Sequence, residues 1–338
     1  MPASLLAGSL LLLSLLLLVS AALWLRWRRR YENSSSVASA YDRWTEERLL
    51  ENLWGDHIHL GYYGSPPRRR DFREAKHDFV HALVRWSGLD RLPPGSRILD
   101  VGCGIGGSAR ILARDYGFDV LGISISPAQV SRARSLTPAD LPHCRFAVMD
   151  ALSLDLPDGS ASSAGGESSA SATSSGFDAV WSVEASPHMP DKQRYCDEML
   201  RVLRPGGLLA VADWNRRDPS AGAMSPRERW VMRQLLEQWA HPEFASIPGL
   251  RRHLEASPWA CGLQVDCDDW SDSTLPSWRD SIAEGFRRPG AMLSLGPSAV
   301  IQGLRETPTI LLMDWAFRTG LMRFGVFRGR KGADPARS

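Results

Sequence analysis

Leu99–Ser126 reads LDVGCGIGGSARILARDYGFDVLGISIS, the pattern of a strand, a glycine loop, a helix and a second strand. Gly102, Gly104 and Gly107 satisfy a G-x-G-x-x-G spacing, where missing side chains let backbone amides at a helix start approach a ligand closely. A dinucleotide fold would place an Asp or Glu near position 124 for a ribose, or an arginine just beyond it for a 2′-phosphate. Ser124 stands there instead, and the next arginine is Arg132. The glycines alone therefore do not say which nucleotide the loop serves.

Two acids narrow the choice. Asp100 ends the first strand immediately before the loop, and Asp150 ends the third. An acid before the glycines can orient the loop and meet the ammonium of an amino-acid moiety. One after the third strand can accept from an adenine amino group. This layout suits S-adenosylmethionine, which has no phosphate for the loop to hold.

Around this unit, RILDVGCG, DVLGISIS, RFAVMDA, FDAVWSVEA and GLLAVADWN read as short apolar strands with helical segments between most neighbours. That order predicts an α/β chain with a parallel, doubly wound sheet. GLQVDCDDW and the stretch near RFGVFRG read as later strands. ASSAGGESSASATSSG, Ala161–Gly176, has almost no hydrophobic content and no periodicity, and reads as a mobile surface insertion.

With 338 residues, 43% of them hydrophobic, and a net charge of +2, the chain can bury one large core and is no strongly basic nucleic-acid binder. The five cysteines are odd in number and lack Cys-x-x-Cys spacing, so neither a disulfide framework nor a zinc site is expected. His77 and His81 lie one turn apart on the helical segment FREAKHDFVHALVRWSGL, without a third ligand in the pattern, and read as a helix face, not a metal site. Leu5–Leu25 is a run of 21 residues free of charge, about 31 Å as a helix, followed by the basic RWRRR. It reads as a single-pass membrane anchor, with the positive flank leaving the catalytic body on the cytosolic side.

LDVGCGIGG, GISISPAQV, MDA and LRPGGLLAVADW resemble the motifs of class I S-adenosylmethionine methyltransferases, in a lipid-acting branch where a hydroxyl residue replaces the ribose acid. SVASAYDRWTEERLLENLWGDHIHLGYYG, WSVEASPHMPDK and VMRQLLEQWAHPEFASI resemble the cyanobacterial 2-methyl-6-phytyl-1,4-benzoquinol methyltransferases, which also take the solanesyl analogue. The resemblance implies a Rossmann-like sheet, mostly parallel and of seven strands, with a helical cap. It divides the chain into an anchor and basic flank (1–30), a helical lid (31–95), a cofactor core with an insertion at 160–176 (96–215), and a substrate cap with the last strands (216–330). Asp100, Gly102, Cys103, Gly104 and Gly106 would form the cofactor loop, with Ser124 and Gln129 taking ribose and methionine contacts. Asp150 and Ala151 would face the adenine, and Tyr41, Trp54, Gly55 and Tyr62 would belong to the lid.

The implied chemistry is transfer of a methyl group to a ring carbon beside a phenolic hydroxyl. Such a carbon is a poor nucleophile until the hydroxyl is polarised or deprotonated, so a positioned base is expected. Glu184 and His188, after the fourth strand, are the first candidates, and His59 in GDHIHLGYYG is the third. The expected partners are S-adenosylmethionine, a prenylated benzoquinol and a membrane, with no metal. γ-Tocopherol methylation is the alternative within the family, and a nicotinamide oxidoreductase the alternative outside it. The oxidoreductase leaves Asp100 and Ser124 unexplained.

Overall fold

Ile98, Leu99, Asp100 and Val101 are all buried, which suits β1 (Arg97–Val101) to a place inside a sheet and not at its edge. The protein is described from a computed structural model covering residues 3–26, 30–159, 176–288, 290, 294 and 296–332. β1 pairs in parallel with β2 (Asp119–Ser124) and with β4 (Phe177–Val183). β3 (Cys144–Val148) adds beyond β2, and β5 (Leu203–Arg216) beyond β4, both also parallel. β7 (Met322–Arg330) then pairs antiparallel with β5, and β6 (Gln264–Asp269) antiparallel with β7. The seven strands lie in the order β3-β2-β1-β4-β5-β7-β6, a mixed sheet. The doubly wound part is as the sequence predicts. β7 lies between β5 and β6 and runs against both, so the last two pairings are antiparallel.

Alternation along each strand feeds two cores. Ile98, Val120, Ala179, Trp181 and Ala210 face α4 (Phe72–Ser87), α5 (Gly107–Tyr116) and α6 (Pro127–Leu136). Leu99, Val101, Val180, Leu209 and Val211 face α7 (Lys192–Val202) and α9 (Ile247–Glu255). Helix starts are set by local chemistry: the Asp71 side chain accepts from the amides of Arg73 and Glu74 at the start of α4. A capping residue of this kind is worth about 1 kcal/mol.

The remaining helices sit over the carboxyl edge of the sheet. The expected helical lid begins as two helices, α2 (Ser34–Glu46) and α3 (Leu49–Trp54), broken where Arg48 turns left-handed at φ 52°. The cap comprises α8 (Pro226–Gln238), α10 (Ser271–Thr274), α11 (Pro276–Arg287) and α12 (Pro297–Arg318). α8 opens with a capping box between Ser225 and Glu228.

α1 (Ala3–Arg26) corrects the expected anchor. Among the described residues no helix is long and apolar enough to cross a membrane, so neither a single-pass span nor a membrane-anchored location is supported. The C-terminal part of α1 is instead spent on the cap. Ser20 donates to the Leu304 carbonyl at 2.5 Å, and the Trp24 indole donates to Thr309 Oγ1 at 2.9 Å, both on α12. The polar insertion lies, apart from Gly176, outside the described residues.

Candidate active site

The order of strands reverses between β1 and β4, and open α/β sheets bind ligands outside the carboxyl ends at such a point. Five strand ends converge there. β1 delivers Asp100 and the glycine loop, β2 Ser124, β3 the turn with Asp150, β4 Glu184, and β5 Asp213 and Trp214. A cavity of about 530 Å³ runs past these ends, within the size range of small-molecule sites.

At one end the cavity is a cradle of backbone. Gly102 takes φ 80°, and a Cβ there would lie 2.6 Å from that of Ala185. Gly107 opens α5 where the Asp56 carbonyl would come within 2.3 Å of an added Cβ. Glycine is required at both positions, at Gly102 by conformation and contact and at Gly107 by close approach. Asp100 lines this end with Oδ2 buried and unpartnered, and burial lifts its carboxyl to about 7. Ser124 Oγ donates to Gln129 Oε1 at 2.8 Å, aiming the amide back over the loop. Asp150 lines the cavity beside Ala151, while its Oδ1 accepts from the Leu152 amide at 2.9 Å. Asp100, Gly102, Cys103, Gly104, Ser124, Gln129, Asp150, Ala151 and Tyr41 are thus brought together. Gly106 and Tyr62 do not line the cavity. A Cβ on Gly106 would meet the Phe146 ring at 2.5 Å, and Tyr62 packs on Trp270 with centroids 5.0 Å apart.

The segment between α3 and α4 closes over the loop and is pinned from three sides. Arg110 pairs with Asp56 at 2.9 Å, the Lys76 ammonium donates to the His57 carbonyl at 2.6 Å, and Glu184 Oε1 accepts from the Leu60 amide at 2.8 Å. Glu184 itself sits at φ 54°, a strained conformation for a non-glycine residue, and burial pushes its carboxyl to about 8. His59 uses Nδ1 on the Leu60 carbonyl at 2.8 Å and turns Nε2 to His57 and Ser108 at 3.1 and 3.4 Å. Burial brings its imidazole down to about 3, so it is neutral at physiological pH.

His188 lies farther along the cavity on a short turn clamped by buried charge. Asp213 accepts from the Ser186 amide at 2.9 Å, and the Lys192 ammonium donates to the carbonyls of Ser186 and Met189 at 2.5 and 2.6 Å. His188 Nε2 is 2.6 Å from the Tyr41 hydroxyl, while its Nδ1 is buried with no partner. Beyond it stand Trp214, Trp239, Trp278 and His241, then the apolar faces of Val300, Leu304 and Ile310 on α12. His241, Trp278 and the Lys192–Asp213 clamp were not singled out as site residues from sequence. His241 and Trp278 are lone residues in amphipathic stretches, with no spacing signal to mark them.

His77 and His81 acquire a third neighbour that the sequence pattern did not show. Asp115 joins them, with one ligand atom of each residue within 4.8 Å of the others. The group has partners of its own: His81 Nδ1 meets the Tyr116 hydroxyl at 2.7 Å and its Nε2 lies 3.5 Å from Asp115.

A family model described as a methyltransferase domain matches residues 68–259, more than half of the chain. The chain belongs to the S-adenosylmethionine-dependent methyltransferases. This methyltransferase is 54% identical, over 96% of its length and 97% of the relative's, to 2-methyl-6-phytyl-1,4-hydroquinone methyltransferase of Synechocystis. It is 32% identical, over 84% of its length and 78% of the relative's, to the chloroplastic tocopherol O-methyltransferase of Arabidopsis thaliana. Among solved structures, a sarcosine dimethylglycine methyltransferase from Galdieria sulphuraria superposes with a TM-score of 0.68 at 23% identity, covering 85% of this chain and 98% of that one. That likeness shows the fold.

Proposed function

We propose that this methyltransferase transfers a methyl group to a ring carbon of a prenylated benzoquinol, 2-methyl-6-phytyl-1,4-benzoquinol or its solanesyl analogue, on the way to tocopherol or plastoquinone. The observation that carries the reading is the continuity of the cavity. It passes from the glycine loop, by His188, into a wall of tryptophans and the face of α12, where Val300, Leu304 and Ile310 stand among Gln302, Glu306 and Thr307. A polar ring and a long hydrocarbon tail match that order, and the 54% identical relative is named for such a substrate.

S-adenosylmethionine supplies the methyl group on its sulfonium. The residues present fit it: the unpartnered Asp100 Oδ2 suits the ammonium of its amino-acid end, and the side-chain-free loop admits its backbone close to the amides. Gln129, oriented by Ser124, takes the polar middle, and Asp150 with Ala151 the adenine edge. Tyr41 closes the site from α2. His188, held by Tyr41 and the clamped turn, polarises the ring hydroxyl through Nδ1. Glu184 and His59 act as positioning residues, because their polar atoms are engaged in holding the lid segment.

Labelled S-adenosylmethionine, offered with the phytyl and solanesyl benzoquinols and with γ-tocopherol in detergent or lipid, tests the reading. Label on a ring carbon of a benzoquinol is the expected result. A new ring methyl on γ-tocopherol alone moves the enzyme to the tocopherol branch. No label on any of the three overturns the substrate class.

A further inference from the structure

We infer that His241 is a catalytic residue, the group that takes the proton of the benzoquinol hydroxyl while His188 holds the oxygen; this rests on the benzoquinol reading above. His241 follows α8 at the end of a left-handed turn, Ala240 having φ 55°, and is only 3% exposed. It lines the cavity, yet neither Nδ1 nor Nε2 has a hydrogen-bond partner. Burial, with His188 and Lys192 nearby, pushes its imidazole well below the ordinary range, so it stands neutral and able to accept; the Pro187 carbonyl offsets this only in part, without meeting the geometry of a bond. Its ring lies on that of His188, centroids 4.4 Å apart and planes 38° apart, and is fenced by Trp214 and Phe244 at 5.7 and 4.9 Å. A buried polar ring left bare on both nitrogens, at the meeting of cofactor cradle and tryptophan wall, calls for a ligand hydroxyl.

Tyr41 decides which imidazole accepts. Burial and the nearby Glu184 and Asp213 carboxyls keep the Tyr41 phenol protonated, and among the described residues His188 Nε2 is the one acceptor its hydrogen meets. With Nε2 accepting, a neutral His188 carries its own hydrogen on the unpartnered Nδ1 and is the donor of the pair. The free acceptor of the pair is then on His241. One phenolic hydroxyl answers both: its oxygen accepts from His188 and its hydrogen goes to His241.

The balance is complete without another reagent. The hydroxyl proton moves to His241, and the ring carbon uses its electron pair to form the new carbon–carbon bond as the sulfur–methyl bond breaks, the sulfur keeping that pair. The ring then loses the hydrogen on the methylated carbon, its oxygen regains a proton from His241, and one proton leaves to solvent.

The test compares the parent enzyme with His241→Gln and His241→Ala, using the phytyl benzoquinol and a ring-fluorinated analogue with a more acidic hydroxyl. Expected is a fall in kcat of about 100-fold in both variants, with cofactor affinity measured by calorimetry unchanged as proof of folding. The defect should shrink on the fluorinated ring, which ionises more readily, and added imidazole should restore part of the turnover of His241→Ala. Folded variants that turn over the natural ring at the parent rate would overturn the role of His241, and so would an equal defect on both rings without imidazole rescue. A parent that methylates no benzoquinol would instead overturn the substrate reading, and this role with it.

Discussion

The two ends of the cavity are built by different means. The cofactor end comes from about fifty consecutive residues, Asp100 to Ala151, whose positions are fixed by backbone: strand ends in parallel register and glycines that admit close approach. The substrate end gathers Tyr41, His188, Trp214, Trp239, His241 and Trp278 from separate segments, and only side-chain packing brings them together. On the proposed function, local sequence encodes the chemistry shared by the fold, and long-range contacts encode what is methylated. If the comparison is right, changes at one end alter cofactor affinity for every acceptor, and changes at the other alter turnover with affinity intact.

The largest separation is expected from His188→Gln. The glutamine amide keeps an N–H but not the ring position that aims it at the reacting oxygen, so kcat should fall about 100-fold or more, with the dissociation constant for S-adenosylmethionine within about twofold of the parent's. Equal losses in both quantities would break the comparison, because His188 would then belong to the cofactor end.

Asp100→Asn should do the reverse. Replacing a charge-assisted contact to an ammonium weakens cofactor binding about 30- to 100-fold, the equivalent of about 2–3 kcal/mol, for any acceptor tested. Its pH dependence sharpens the assignment. Burial holds the Asp100 carboxyl at about 7 in the free protein, above its ordinary range, so below that pH it is protonated and must ionise to meet a cation. Cofactor affinity in the parent should therefore fall as the pH drops from 8 to 6, approaching about tenfold per unit, and Asp100→Asn should lack this contribution. A parent titration that is flat across this range would remove Asp100 from the ammonium site.

Glu184 lies on the boundary of the two ends, and a smaller effect is expected there. Glu184→Gln keeps an acceptor for the Leu60 amide but replaces a carboxyl able to ionise beside Lys76 with a permanently neutral amide, so the lid should loosen without opening. Cofactor KM should rise about fivefold and kcat change less, as befits a positioning residue. A loss of kcat as deep as that of His188→Gln would make Glu184 part of the chemistry after all.

The same division explains what could be read from the chain before its structure. Asp100, Gly102 and Gly104 were legible because spacing along one strand and loop is also their spacing in space. Gly106 was carried along by the motif although its duty is to clear the Phe146 ring. His241 was not legible, since the His188 ring it lies on is 53 residues away and the Tyr41 that holds His188 is 200 away, and nothing in WAHPEF sets its histidine apart. The antiparallel pairings of β7 were equally hidden. A strand's apolar content does not reveal its direction.

α1 shows how a hydropathy run misleads when its polar atoms are ignored. Ser20 and Trp24 sit in a stretch that reads as apolar, but each has its hydrogen-bonding group committed to α12, and the Trp24 carbonyl accepts from Gln238 Nε2 at 3.2 Å. A helix bound in this way is a wall of the cap, and Leu16 and Ser20 face the same cavity as Ile310. Trp24→Phe keeps an aromatic ring but loses the pyrrole part of the indole with its one donor, leaving the fully buried Thr309 hydroxyl without it. Urea denaturation should show a loss of about 1 kcal/mol, with cofactor affinity unaltered because the change lies at the substrate end. A variant as stable as the parent would mean that α1 is not held on α12 by this contact.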